Sequence, residues 1–138
     1  MDETRCNVLL VNDDLIEIDM ARRAAVESRS KICLTVAKSG DAVLNWFGSG
    51  VAKKEQIPHL ILLDLKLPSL DGLTTLRKLR GNDATRDIPI VVFSAQYTQA
   101  DVLKSYSAGA NSFVAKPADY AQLTEFFRER LAYWMPRH

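Results

Sequence analysis

Four polar residues stand at the ends of short apolar runs: Asp13 behind Val8–Val11, Asp64 behind Leu60–Leu63, Ser94 behind Ile90–Phe93 and Lys116 behind Ser112–Ala115. Two carboxylates brought together repel each other unless a cation lies between them. An oxygen-rich site that keeps several waters suits Mg²⁺, which takes one or two carboxylates plus substrate phosphate. A carboxylate is also a nucleophile towards phosphorus, and the product is an aspartyl phosphate. The metal, an ammonium and a hydroxyl donor then stabilise charge on the transferring oxygens. Asp64 closes the central run and is the better nucleophile, while Asp13 fits a metal ligand. Each residue alone has an ordinary reading too. Asp13 or Asp14 can cap a helix, Ser94 can sit in a turn, and Lys116 can be a solvated ammonium before a proline turn. Capping alone, however, does not call for a lysine behind the last run.

The elements that must position these groups alternate along the chain. Val8–Val11 is continuously apolar, as a strand covered on both faces should be. A helical pattern follows, with Ile16, Met20, Ala24 and Val26 inward and Glu17, Arg22, Arg23 and Glu27 outward. Ile32 to Val36 reads as a second strand. Ser39 or Asp41 opens a short helix carrying Ala42, Val43, Trp46 and Phe47, ended by Gly48 and Gly50. A polar connection, Lys53 to Gln56, leads to the strand Leu60–Leu63. Pro68, Asp71 and Gly72 mark a turn and the start of a helix with Leu73, Leu76 and Leu79, ending at Gly81. Ile90–Phe93 is the fourth strand. Thr98 caps a helix through Val102, Leu103 and Tyr106 that Gly109 stops, Ser112–Ala115 is the fifth strand, and a last helix runs from Asp119 past Leu131. Five strands alternating with five helices predict an α/β doubly wound sheet, parallel because each crossover contains a helix. All C-terminal strand ends of such a sheet share one edge, so Asp13 and Lys116, about a hundred positions apart, converge there with Asp64 and Ser94.

The ordered set Val11-Asn12-Asp13-Asp14, Leu62-Leu63-Asp64-Leu65-Lys66-Leu67-Pro68, Asp71-Gly72, Phe93-Ser94-Ala95 and Phe113-Val114-Ala115-Lys116-Pro117 resembles the receiver (CheY-like) domains of two-component response regulators. The likeness extends over essentially the whole chain. Its long connection before the third strand and its Asp87-Ile88-Pro89 approach to the fourth are most similar to single-domain regulators associated with bacterial phytochromes. This resemblance implies a flavodoxin-like sheet in the order 2-1-3-4-5. It implies Asp64 as phosphoacceptor, and Asp13, Asp64 and the backbone carbonyl of Lys66 as Mg²⁺ ligands. Ser94 and Lys116 would bind the phosphoryl group, Phe113 would be the aromatic switch, and Lys116–Pro117 a cis peptide. Asn12 departs from the family, which usually has a second acid there. Its amide oxygen can still orient a metal-bound water, but one negative charge is lost and weaker Mg²⁺ binding is expected. Asp14 serves as a helix N-cap instead.

Composition narrows the classes further. The 138 residues, 47% hydrophobic and 25% charged, suit one receiver domain with a core of about 7–132 and no output domain. A net charge of +1 with interspersed signs gives no ground for nucleic-acid or anionic-membrane binding. No apolar run is long enough to span a bilayer and no signal-peptide pattern opens the chain, so a cytoplasmic location is expected. Cys6 and Cys33 read as reduced, packed thiols. His59 and His138 lack ligand-spaced companions, and Gly48-Ser49-Gly50 before Lys53-Lys54 lacks P-loop spacing. Trp46, Phe47, Phe126 and Phe127 read as packing, Arg128, Arg130 and Arg137 as a solvated face, and Tyr133-Trp134 as a pair that can mark a docking surface. The expected activity is that of a phosphoacceptor rather than an enzyme with an external substrate. A sensor histidine kinase or phosphotransfer protein would phosphorylate it. The surface of helix four, strand five and helix five would then signal to a protein target or pair in a homodimer. A phosphorylation-independent binding module is the alternative that Asn12 favours. A phosphohydrolase is a third, opposed by Lys66, which stands two positions after Asp64 where such enzymes generally place an acid.

Overall fold

The structure, a computed structural model, describes residues 6–28, 32–48, 57–67 and 70–134. Five strands, β1 (Cys6–Val11), β2 (Ile32–Ala37), β3 (Leu60–Leu63), β4 (Ile90–Ser94) and β5 (Ser112–Ala115), form one parallel sheet in the order β2-β1-β3-β4-β5. Helices α1 (Leu15–Glu27), α2 (Gly40–Gly48), α3 (Gly72–Arg80) and α4 (Gln99–Ser107) lie in the crossovers, and α5 (Tyr120–Glu125) follows the last strand. Beyond α5 the coil widens to π-type geometry over Phe126–Arg130 and tightens to a 3₁₀ turn over Leu131–Trp134. The expected turn at Pro68, the stop at Gly50, the connection Lys53 to Gln56, and Arg137 and His138 lie outside the described residues.

Strand alternation sorts the core into two layers. Val8, Leu10, Leu60, Leu62, Val91, Phe93 and Val114 pack with Ile18, Ala21, Ala24 and Ala25 of α1 and with Leu123, Phe126, Phe127 and Leu131. Leu9, Val11, Ile61, Leu63, Ile90 and Val92 face the other way, onto Val43 and Phe47 of α2 and Leu76 and Leu79 of α3. Both faces of β3 and β4 are therefore covered, and every residue of these strands is buried. Trp46 meets Phe47 edge-on at 4.8 Å, and Phe93 stacks on Phe126 at 4.8 Å, as packing aromatics do. Trp134 packs against the first layer while Tyr133 is exposed, so the expected aromatic pair is divided between core and solvent.

Local chemistry fixes the helix ends. Asp14 accepts from the N–H groups of Ile16 and Glu17, Asp71 from Thr74 (2.8 Å) and Asp119 from Gln122 (2.7 Å). Thr98 and Asp101 form a reciprocal capping box at α4. Gly109, just past α4, takes φ +111°, a conformation that disfavours any side chain. Arg80 then ties the end of α3 to the loops around β4 and β5, donating to the carbonyls of Gly109, Arg86 and Ile88 and to Asn111 Oδ1.

One expectation about α1 is corrected. Ile16 and Val26 are 73% and 78% exposed, and the buried stripe is Ile18, Ala21, Ala24 and Ala25. Capping by Asp14 sets where the helix begins, and three small alanines let it lie close against the sheet. Glu17, expected outward, is half-buried. Among the described residues no helix is long and apolar enough to cross a membrane.

Candidate functional site

Strand register brings the polar residues together. Val11 pairs with Leu63, Leu63 with Val92, and Ser94 with Ala115. Asn12, Asp64 and Lys116, which directly follow β1, β3 and β5, therefore emerge at the same C-terminal edge as Ser94, the last residue of β4. The backbone marks this step: Asp64 N–H donates to Val11 (3.1 Å), Lys116 N–H to Ser94 (2.9 Å) and Asn12 N–H to Ala37 (3.0 Å). Asp13, Asp14, Glu17, Asp64, Lys66, Ser94 and Lys116 all line one crevice of about 250 Å³, so the convergence expected at the sheet edge is present.

Asp64 is at its centre, with both carboxylate oxygens engaged. Oδ1 accepts from the backbone N–H of Lys66 (3.1 Å) and lies 3.3 Å from Ser94 Oγ. Oδ2 accepts from Lys116 Nζ (3.2 Å) and Asn12 Nδ2 (3.3 Å). Ser94, fully buried, is also 3.3 Å from the Gln96 carbonyl, so its one hydroxyl proton is shared between two acceptors. The Lys116 side chain is only 10% exposed, and its ammonium lies 5.7 Å from the centroid of the Phe93 ring. Asp13 is exposed on the rim, without a hydrogen-bond partner among the described residues. Phe113 is partly buried and meets Tyr97 edge-on at 4.8 Å, with its N–H donating to Tyr106 Oη at 3.1 Å.

Two features differ from the sequence reading. The Lys116–Pro117 peptide is trans, as is every peptide bond among the described residues, which corrects the expected cis bond. Trans is the intrinsically favoured X–Pro isomer, and a dipeptide carries no signal that overrides this preference. The second is Glu17, for which the helical pattern predicts the solvent face. Its Oε1 accepts from Asn12 Nδ2 (2.9 Å) and pairs directly with Lys116 Nζ. A signal was present, because Glu17 is in the first turn of α1, four residues after Asp13, where a side chain can lean back over the strand end.

The residues fit a hard divalent cation. Among the described residues no three His, Cys, Asp or Glu side chains gather as a metal cage. Asp13 and Asp64, which line one open crevice, instead match a cation that keeps several of its waters.

The sequence matches the response regulator receiver domain family over residues 8–128. The chain belongs to this family. Probable methanogenesis regulatory protein FilR2 of Methanothrix harundinacea (strain 6Ac) is 27% identical to this receiver domain over 128 residues, covering 93% of the chain and 83% of that protein. The structure of the phosphorylated cyanobacterial phytochrome response regulator RcpA superposes with a TM-score of 0.83 at 26% identity, covering 94% of each chain. Response regulator Rcp1 of Synechocystis sp. (strain ATCC 27184 / PCC 6803 / Kazusa), in its Mn²⁺-bound form, gives a TM-score of 0.80 at 25% identity and 96% coverage of each chain. The similarity to phytochrome-associated regulators thus holds in structure as well as in sequence. Other curated relatives are longer, and the chain spans between 15% and 60% of them. The five-stranded parallel order is the flavodoxin-like receiver fold, and the family is one of two-component signalling.

Proposed function

We propose that this receiver domain accepts a phosphoryl group on Asp64, with a divalent cation bound beside it, and relays that event through the surface of α4, β5 and α5. The observation that carries the reading is the double engagement of Asp64. A hydroxyl from the end of β4 and an ammonium from beyond β5 bear on different oxygens of one carboxylate.

Asp13, Asp64 and the Lys66 carbonyl would hold the cation, Mg²⁺ on this reading, with Asn12 acting on it through a bound water. When present, the cation neutralises charge between the carboxylates and the incoming phosphoryl oxygens. One Asp64 oxygen attacks phosphorus, the P–N bond of a donor phosphohistidine breaks, and its electron pair stays on the imidazole. Ser94 Oγ donates to the new phosphoryl group and the Lys116 ammonium pairs with its charge. Both must give up part of their present contact with Asp64, and that loss can draw on the β4–α4 loop, where Tyr97 rests on Phe113. Phe113 is the residue that would turn inward and bias a pre-existing equilibrium. Leu103 and Tyr106, exposed on α4, supply apolar area for a partner on that face. A histidine kinase or phosphotransfer protein upstream, and a protein target or a second copy downstream, complete the proposal.

The test is intact mass after incubation with a small phosphodonor and Mg²⁺. A gain of one phosphoryl group, lost in Asp64→Asn, is expected; no gain at high donor and Mg²⁺ would rule the reading out. A second reading is a binding module that works without phosphorylation, favoured by the amide at position 12. Magnesium titration separates them, because such a module would bind none in the millimolar range.

A further inference from the structure

The first turn of α1 holds a carboxylate that the proposed phosphoryl transfer does not use. Glu17 stands three residues after the N-cap Asp14, a position from which a glutamate ordinarily reaches back to the N-cap N–H. That N–H is already satisfied, because it donates to Asn12 Oδ1 at 2.7 Å. Glu17 turns into the crevice instead and meets Asn12 Nδ2 and Lys116 Nζ. Both of these donors also reach Asp64 Oδ2. Four side chains thus close a loop in which one amide and one ammonium each bridge the same two carboxylates.

The chemistry of this loop explains its composition. An aspartate at position 12 could accept from Asp14 N–H as Asn12 does, but it could donate to neither Glu17 nor Asp64. It would also crowd a third carboxylate against them. The amide at 12 and the acid at 17 are therefore a matched pair. Lys116 is nearly buried and lies between two anions, so any anion arriving on Asp64 must compete for it.

We infer that Glu17 is a positioning residue that holds the Lys116 ammonium in the resting site and competes for it with the phosphoryl group on Asp64. The inference rests on Asp64 being the phosphoacceptor. Glu17 then sets how tightly the site holds a phosphoryl-shaped anion, independently of the attack on phosphorus.

Beryllofluoride, an anion of phosphoryl shape, can be titrated into the full chain at saturating Mg²⁺, with bound fluoride read by ¹⁹F NMR. Mg²⁺ saturation is checked separately for each variant, and a thermal melt verifies folding. Glu17→Gln keeps side-chain size and is expected to tighten binding about tenfold, the scale of one charge-assisted hydrogen bond no longer competing. Simple repulsion through space would also tighten binding, so the same substitution is made in a Lys116→Gln background. There its effect should shrink below about twofold, because the contested ammonium is gone. Equal tightening in both backgrounds, or none in the parent chain, overturns the inference. A parent chain that binds no beryllofluoride overturns the phosphoacceptor reading itself, and that outcome is separate because it appears before any substitution at Glu17.

Discussion

An amide at position 12 donates where a carboxylate would accept. Asn12 Nδ2 gives one hydrogen bond to Glu17 and one to Asp64, while its Oδ1 holds the N–H that opens α1. Only 1% of the residue is exposed, so water cannot replace these partners. Asn12→Asp is accordingly expected to destabilise the metal-free domain by about 1–3 kcal/mol, the cost of a buried group left without its partner. The added negative charge should at the same time tighten Mg²⁺ binding, so Mg²⁺ should restore much of the lost stability. Urea unfolding of both proteins with and without Mg²⁺ checks both signs, and equal sensitivity to Mg²⁺ would count against the proposed cation site.

Helix α3 starts directly against the loop that carries Asp64, and Asp71 and Gly72 fix that start in different ways. The Thr74 N–H, bonded to Asp71 at the N-cap, holds the Asp71 carboxyl below its ordinary value of 3.8. A lowered value means that the folded state favours the ionised form. The cap's contribution is therefore present above pH 3.8 and is lost as pH falls through the lower folded-state value. Asp71→Ala should cost about 1 kcal/mol at neutral pH, and the gap between parent and variant should close in acid melts. Gly72 has a different role. A Cβ there would lie 2.3 Å from the Asp64 carbonyl oxygen and 2.7 Å from Leu65 Cα, both backbone atoms that cannot step aside. Gly72→Ala is expected to cost about 1–3 kcal/mol and to displace the Asp64–Lys66 loop. Chemical denaturation measures the first effect, and weakened Mg²⁺ binding by calorimetry reports the second.

The two cysteines read out the whole molecule. Cys6 is buried in β1, and burial pushes its thiol up to about 11, so it stays protonated and inert at ordinary pH. Cys33 on the edge strand β2 is partly exposed. Thiol labelling near pH 8 should modify Cys33 directly and Cys6 only through large-scale opening of the fold. Cation binding at the far end of β1 should then slow labelling of Cys6 and leave Cys33 little changed. Equal slowing at both would point to a local effect on the reagent instead.

The five strands were legible because short runs rich in apolar and β-branched residues, bounded by polar turns, alternate with longer stretches of helical spacing. Asp64, Ser94 and Lys116 were legible because a parallel sheet carries all its strand ends to one edge. The caps Asp14, Asp71 and Thr98 were likewise written locally, in residue types that satisfy nearby N–H groups. The phase of α1 was not. Ile16 and Val26 look like core residues by type, yet which stripe faces the sheet depends on how closely Ala21, Ala24 and Ala25 let the helix approach. Glu17 escaped for the same reason. Its partners Lys116 and Asn12 become neighbours only when β5 and β1 share an edge and α1 lies over it. Sequence by itself determined the fold class and which side chains emerge at the strand tips. Tertiary packing alone decided which of those charges meet, because a contact between residues 99 positions apart exists only once the sheet has closed the distance.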